Sequence, residues 1–140
     1  MSNERIVVAV DGSSHAVRAA TYSAKLARIL ECAIIVVHCH RPFPVTLGEP
    51  YFQNAINKIM KKVEALLEPY REIYDRAEVP ITERILEGPP AKAIVGVAEI
   101  EKPEMIIMGS RGRTDLEGLL LGSVTHRVLH AAPCPVLVVR

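Results

Sequence analysis

The segment GSRGRTDLEGLLLGS, residues 109–123, concentrates the groups in this chain that could hold an anion. Gly109 and Gly112 would let the backbone bend and approach a ligand without a Cβ in the way. Gly122-Ser123 opens a helix-like segment, and the first amides of a helix have no partner within it. Helped by the helix dipole, such amides donate readily to a phosphate. Ser123 and Thr125 add hydroxyls, and Arg111 and Arg113 add positive charge. Together these parts describe a phosphate cradle. Glycine-rich loops ahead of helices also serve simply as turns, and the residues alone leave both readings open. The segment is not a Walker loop, because no Gly-Lys-Ser or Gly-Lys-Thr follows. Nor is it a dinucleotide fingerprint, whose glycines would follow the first strand, where DGSS (11–14) supplies one.

Two histidine pairs invite a metal reading. In His38-Cys39-His40, neighbours on a strand point to opposite faces, so only the two histidines could converge. A strand end with polar caps is the plainer account. His126 and His130 stand four apart on a helix-like segment, where a solvated face is the plainer account. Cys32, Cys39 and Cys134 are scattered and form no CxxC. They read as reduced thiols of a cytoplasmic protein, at least two of them ordinary small core residues.

The elements that must position these groups follow from hydrophobic patterning. RIVVAV (5–10), AIIVVH (33–38) and EMIIMG (104–109) are short, nearly continuous apolar runs, the mark of strands covered on both faces. Ser13 or Ser14 can cap a helix running to about Leu30, with Val17, Ala20, Ala24 and Ala27 on one face. A long amphipathic helix spans Tyr51 to about Arg76 through Phe52, Ile56, Ile59, Val63, Leu66 and Ile73, and Pro69 should kink or break it near Glu68. Residues 80–88 read as a charged edge strand. Pro89 and Pro90 open a helix to about Glu101, residues 122–132 form another, and PCPVLVVR is the last strand. The stretch RPFPVTLGEP is irregular. This alternation predicts an α/β fold, a doubly wound five-stranded parallel sheet with helices on both faces, in one domain over 1–140. If the order is 3-2-1-4-5, the order reverses between the first and fourth strands. A ligand would then sit between Ala9-Val10-Asp11 and Met108-Gly109, where the glycine-rich segment begins.

Composition bounds the rest. The 140 residues suffice for one core, which at this size buries roughly 68–70% of the unfolded chain's surface. A net charge of +1 with interspersed signs argues against a nucleic-acid footprint. No apolar run is long enough for a membrane span, and the N-terminus lacks signal-peptide character.

The complete pattern Gly109-x-x-Gly112, nine residues, Gly122-Ser123 resembles the ATP-binding motif of the universal stress protein family. RIVVAVDGS, VVHCH, LEGPPAKAIVGVA, IIMGSRGR and LLLGSVTHRVLHAAPCPVLVVR extend the resemblance over nearly the whole chain. The resemblance implies that Ala9, Val10 and Asp11 lie by the adenosine, with Asp11 near the ribose or a phosphate-bound Mg²⁺ or Mn²⁺. It implies that the Cys39 backbone meets the adenine edge and that Met108 and Gly109 flank the ribose. It gives Arg111, Gly112, Gly122, Ser123, Val124 and Thr125 to the phosphates of ATP, or of AMP or ADP. The position of Arg111 varies in the family, so its side chain need not touch phosphate.

The expected function is that of a nucleotide-binding stress-response regulator. No second acid, Walker-type aspartate or lysine accompanies Asp11, so slow or no hydrolysis is expected. A pure protein-interaction module of the same fold is the alternative. A phosphoacceptor receiver domain would need paired acids and a late lysine that are absent, and a flavoprotein would betray itself by its colour. The apolar last strand, 134–139, would leave an open sheet edge, and with the family's habit it points to a homodimer through that edge.

Overall fold

The computed structural model describes residues 3–112, 118 and 120–140. Its elements are β1 (Arg5–Ala9), α1 (Ser14–Leu30), β2 (Ala33–His40), α2 (Tyr51–Arg76), β3 (Ile81–Glu87), α3 (Pro90–Glu101), β4 (Met105–Gly109), α4 (Ser123–Ala131) and β5 (Val136–Val139). The strands form one sheet in the order β3-β2-β1-β4-β5, and every pairing is parallel.

The apolar runs earn their central places because both faces of these strands are covered. Ile6 and Val8 of β1, with Val10 just beyond it, pack with α1 and α2, whereas Val7 packs with α3 and α4. Ile34, Val36 and Ile107 join the first layer, and Ile35, Val37, Ile106 and Met108 the second. The charged β3 lies at one edge and β5 at the other.

On α1 the buried stripe is Ala16, Ala19, Ala20, Ser23, Ala24 and Ala27. Val17 is exposed, which corrects its expected place on the buried face. The reason is steric: small side chains let α1 lie close over β4, and valine is turned out at the helix margin. Ser13 is the N-cap, its Oγ accepting from the Ala16 amide at 3.1 Å.

Nor does Pro69 break α2, which is helical from Tyr51 to Arg76 through it. Proline inside a helix costs about 3 kcal/mol. Val63, Leu67, Tyr70 and Tyr74 are buried on both sides of it, and each large apolar side chain returns about 1.5–3 kcal/mol. Of these, Leu67, Tyr70 and Tyr74 lie outside the apolar set expected from the sequence. Ser23 Oγ donates to the Ala20 carbonyl at 2.7 Å, and the Tyr74 hydroxyl stands 2.7 Å from the same Oγ. Serine has one proton, and the carbonyl takes it, so Tyr74 donates to Ser23. Arg71 clamps α2 to β3 by a two-pronged pair with Glu83 at 2.7 and 2.8 Å.

Cys32 is buried, whereas Cys39 and Cys134 are half-buried against the core, so only the first is a fully enclosed core residue. Among the described residues no helix is long and apolar enough to cross a membrane.

Candidate functional site

Where the strand order reverses, at the C-terminal ends of β1 and β4, the sheet opens into a cleft on its α3/α4 side. Its enclosed space is about 100 Å³, below the roughly 300–1,000 Å³ usual for drug-sized sites, and it opens to solvent at its mouth. Ala9, Val10 and Asp11 form one wall, and Met108, Gly109, Arg111 and Gly112 the other. Cys39 closes one end from β2, and Val124 and Thr125 come from the first turn of α4. Ten of the twelve residues named from the resemblance therefore line one cavity. Gly122 and Ser123 stand immediately beside it as the N-cap and first residue of α4. Arg113 lies outside the described residues.

The sequence reasoning missed four lining residues, Ala16, Val37, Pro90 and Ile94. Pro90 and Ile94 sit at the start of α3, and the signal was the Pro-Pro helix opening, which aims that helix at the same end of the sheet.

Backbone geometry fixes the two loops. Asp11 Oδ1 accepts from the Ser13 amide at 2.9 Å, an Asx-type turn. Gly12 carries a φ of 83°, open to glycine and costly for other residues. Its amide donates to the Tyr70 hydroxyl at 3.0 Å, so α2 holds the turn from below. Across the cleft, Thr125 Oγ1 donates to the Gly109 carbonyl at 2.8 Å, tying α4 to the end of β4. The Ser110 carbonyl accepts from the Gly122 amide at 2.6 Å and closes the loop.

The glycines play distinguishable parts. A Cβ on Gly109 would fall 2.8 Å from His15 Cβ and 2.9 Å from the His15 carbonyl carbon. Its missing side chain makes room for the first turn of α1, while its backbone lines the cleft. Gly122, by contrast, has φ −74° and ψ 165°, open to any residue. A turn alone does not require glycine there. The N-cap of α4, Gly122, supplies no side-chain cap, whereas α1 is capped by Ser13.

The electrostatics are simple. Asp11 is the one acid among the described residues lining the cleft, and Arg111 the one base. Burial pushes the Cys39 thiol up to about 11, so it is an uncharged wall at neutral pH. His15, beside the cleft, is held below its usual value by burial and by Arg18 and Arg111, with Asp11 opposing.

The metal readings find little geometry. His38 is buried, its Nδ1 2.9 Å from the Val10 carbonyl, and His40 Nδ1 is 2.6 Å from the Arg41 carbonyl. His126 and His130 face solvent. Among the described residues no group of three or more His, Cys, Asp or Glu side chains could hold a metal ion.

An open parallel sheet in the order β3-β2-β1-β4-β5, with a cleft over its reversal, defines the class of α/β proteins that bind ligands at strand ends. Within that class the chain belongs to the universal stress protein family, whose model matches residues 2–140. It is 39% identical over 136 residues to the "universal stress protein in QAH/OAS sulfhydrylase 3'region" of Thermus aquaticus, covering 96% of this chain and 97% of the relative. The structure of MJ0577 from Methanocaldococcus jannaschii superposes with a TM-score of 0.85 at 28% identity, over 99% of this chain and 96% of that one. Two more distant structures share the fold. One is a universal stress protein in complex with cAMP (TM-score 0.78, 24% identity, covering 100% and 99% of the two chains). The other is an Arabidopsis thaliana family protein with AMP bound (TM-score 0.70, 19% identity, covering 97% and 90%).

Proposed function

We propose that this chain binds an adenine nucleotide, ATP or its AMP and ADP relatives, in the β1/β4 cleft and acts as a stress-response regulator. The observation that carries the reading is the convergence of Ala9–Asp11, Met108–Gly109 and the α4 N-terminus on one cavity with an apolar floor. The apolar end between Cys39 and Ile94 suits a base, and the N-terminal amides of α4, opened by a glycine N-cap, suit phosphates. Relatives of the same fold with bound cAMP or AMP support the choice of adenine.

Asp11 fits a Mg²⁺ or Mn²⁺ carried in on the phosphates, since Mg²⁺ is commonly held by one or two carboxylates plus phosphate oxygens. Bound there, the ion would supply charge neutralisation. With one acid and no lysine among the described lining residues, hydrolysis is slow or absent. The chain acts as one cytoplasmic domain over 1–140, without nucleic acid or membrane as partner.

Gly122→Val tests the cradle. Its backbone angles are open to valine but the position is buried, so a native circular dichroism spectrum is required before the titration is read. Mg-ATP binding by calorimetry should fall by about 100-fold or more, the loss of two or more charge-assisted hydrogen bonds. Unchanged affinity in the folded variant would sink the nucleotide reading.

A homodimer is the second part of the reading. Among the described residues β5 pairs with β4 alone, and Val136, Leu137, Val138 and Val139 are each half-exposed. An apolar open edge of this kind is covered by a second copy. Lysine at both Val136 and Val138 should give monomer by light scattering, and a dimer that survives both changes would place the interface elsewhere.

A further inference from the structure

On the opposite face of the sheet from the cleft, α1, α2 and the ends of β1 and β2 border a groove of about 1030 Å³ that opens to solvent. That volume stands at the top of the range of about 300–1,000 Å³ usual for small-molecule sites. Its walls are apolar, with Val17 from α1 and Ile59, Val63, Leu66 and Pro69 from α2. Val63 is buried, but Val17 is 37% exposed, and Ile59 and Leu66 are only half-buried. These side chains present apolar surface to the groove, and this is where the outward-turned Val17 points.

Polar groups border the same space. His38 stands two residues beyond Val36 on β2 and so points to the same face, towards α1 and α2. It is 8% exposed, and its Nδ1 lies 2.9 Å from the Val10 carbonyl. A carbonyl only accepts, so Nδ1 carries a proton and Nε2 is left for another partner. Among the described residues no enclosed side-chain nitrogen or oxygen lacks a partner, so Nε2 is not sealed in. It opens onto the groove that the ring lines. Arg41, just past the end of β2, and Lys62 of α2 stand exposed at the rim. Neither belongs to an ion pair among the described residues, whose pairs engage Arg5, Arg71 and Arg84. Asp11 is the one acid among the described lining residues, and its Oδ1 already accepts from the Ser13 amide.

We infer that this groove binds an aliphatic carboxylic acid, its chain along the α1 and α2 walls and its carboxyl group among His38, Arg41 and Lys62. A carboxyl group suits Nε2 because one proton serves the pair. Either the acid's O–H donates to the bare nitrogen, or the imidazolium donates to the carboxylate. The two rim cations attract the anion. A neutral lipid would satisfy the walls and leave the cations without a counter-charge. A free phosphate would satisfy the cations and leave the walls in water. The inference is independent of the nucleotide reading, although Asp11 and Cys39 border both cavities. Its test therefore uses residues of the groove alone.

Equilibrium dialysis of the full chain against radiolabelled decanoate, kept below micelle formation, and against decanol decides it. The wild type should saturate at one decanoate per chain and hold it about tenfold more tightly than decanol. Arg41→Gln combined with Lys62→Gln should weaken decanoate about tenfold and move decanol less than about twofold. Both positions are exposed, so the double variant should fold. Val17→Asp should weaken both ligands by about tenfold or more, because it sets a charge against the aliphatic chain. An acid near the start of α1 suits the helix dipole, so this variant too should fold. No saturable uptake by the wild type, equal affinity for acid and alcohol, or a double variant that loses both ligands alike would overturn the inference. Decanoate uptake untouched by Val17→Asp would place the acid elsewhere, the nucleotide cleft included, and would overturn it as well.

Discussion

Gly109→Val is expected to lower the unfolding free energy by about 3 kcal/mol, read as a fall in the urea midpoint at unchanged slope. The cause is a collision with backbone. The new Cβ would lie 2.8 Å from His15 Cβ, 2.9 Å from the His15 carbonyl carbon and 3.0 Å from its oxygen. A flexible side-chain tip could swing away, but the first turn of α1 cannot. The helix must lift from β4, and the alanine face of Ala16, Ala19 and Ala20 loses its close packing. Gly109→Ala should show most of the same loss, because the clash begins at Cβ. An alanine variant as stable as the wild type, yet unable to bind nucleotide, would return Gly109 to the role of a ligand-approach glycine.

The second large effect lies at Tyr74. Tyr74→Ala should cost about 3–5 kcal/mol, as expected for emptying a fully buried aromatic site. Tyr74→Phe should cost only about 1 kcal/mol, because Ser23 Oγ keeps its own acceptor at Ala20. Ser23→Ala should cost more than the phenylalanine change, about 1–3 kcal/mol, because it strands the buried Tyr74 hydroxyl. A neutral Ser23→Ala would refute this donor order. The neighbouring Tyr70 adds a pH signature. Burial pushes it up to about 12, opposed by the Gly12 amide. The unfolded chain then releases its tyrosine proton first, so stability should fall as pH rises from about 10 to 12. Denaturant midpoints measured across that range should drop, and Tyr70→Phe should flatten part of the slope.

Sequence patterning carried the fold far because each central strand is apolar on both faces and each helix has a distinct margin. The charged residues Glu83 and Arg84 marked β3 as an edge, whereas the full strand order was a supposition that the family resemblance supplied. What patterning could not resolve was which of two neighbouring residues faces inward. Val17 and Ala16 differ by one helical step, and hydrophobicity favoured the wrong one, since close packing prefers the smaller. Pro69 was overread because its cost is local, whereas the burial that outweighs it is spread over Val63, Leu67, Tyr70 and Tyr74. The tyrosines escaped notice because their hydroxyls look polar in a sequence and are satisfied only across elements. Glycine chemistry was legible as a pattern but not as mechanism. Gly109 answers to His15, Gly12 to its positive φ, and Gly122 to neither.

The pairing of β1 with β4 also dictates when the cleft can exist. Ile6 must meet Met105, a closure over about a hundred residues, and long closures are entropically late. During synthesis, β1 and β2 with α1 between them emerge well before β4, so one wall of the cleft waits for the other. Half-made chains thus carry an open flank on β1, where β4 belongs, and the nucleotide proposed above would have nothing to grip until that vacancy is filled. Its stabilising effect would fall on the finished molecule, so that adding it should slow unfolding and leave the early refolding steps unchanged.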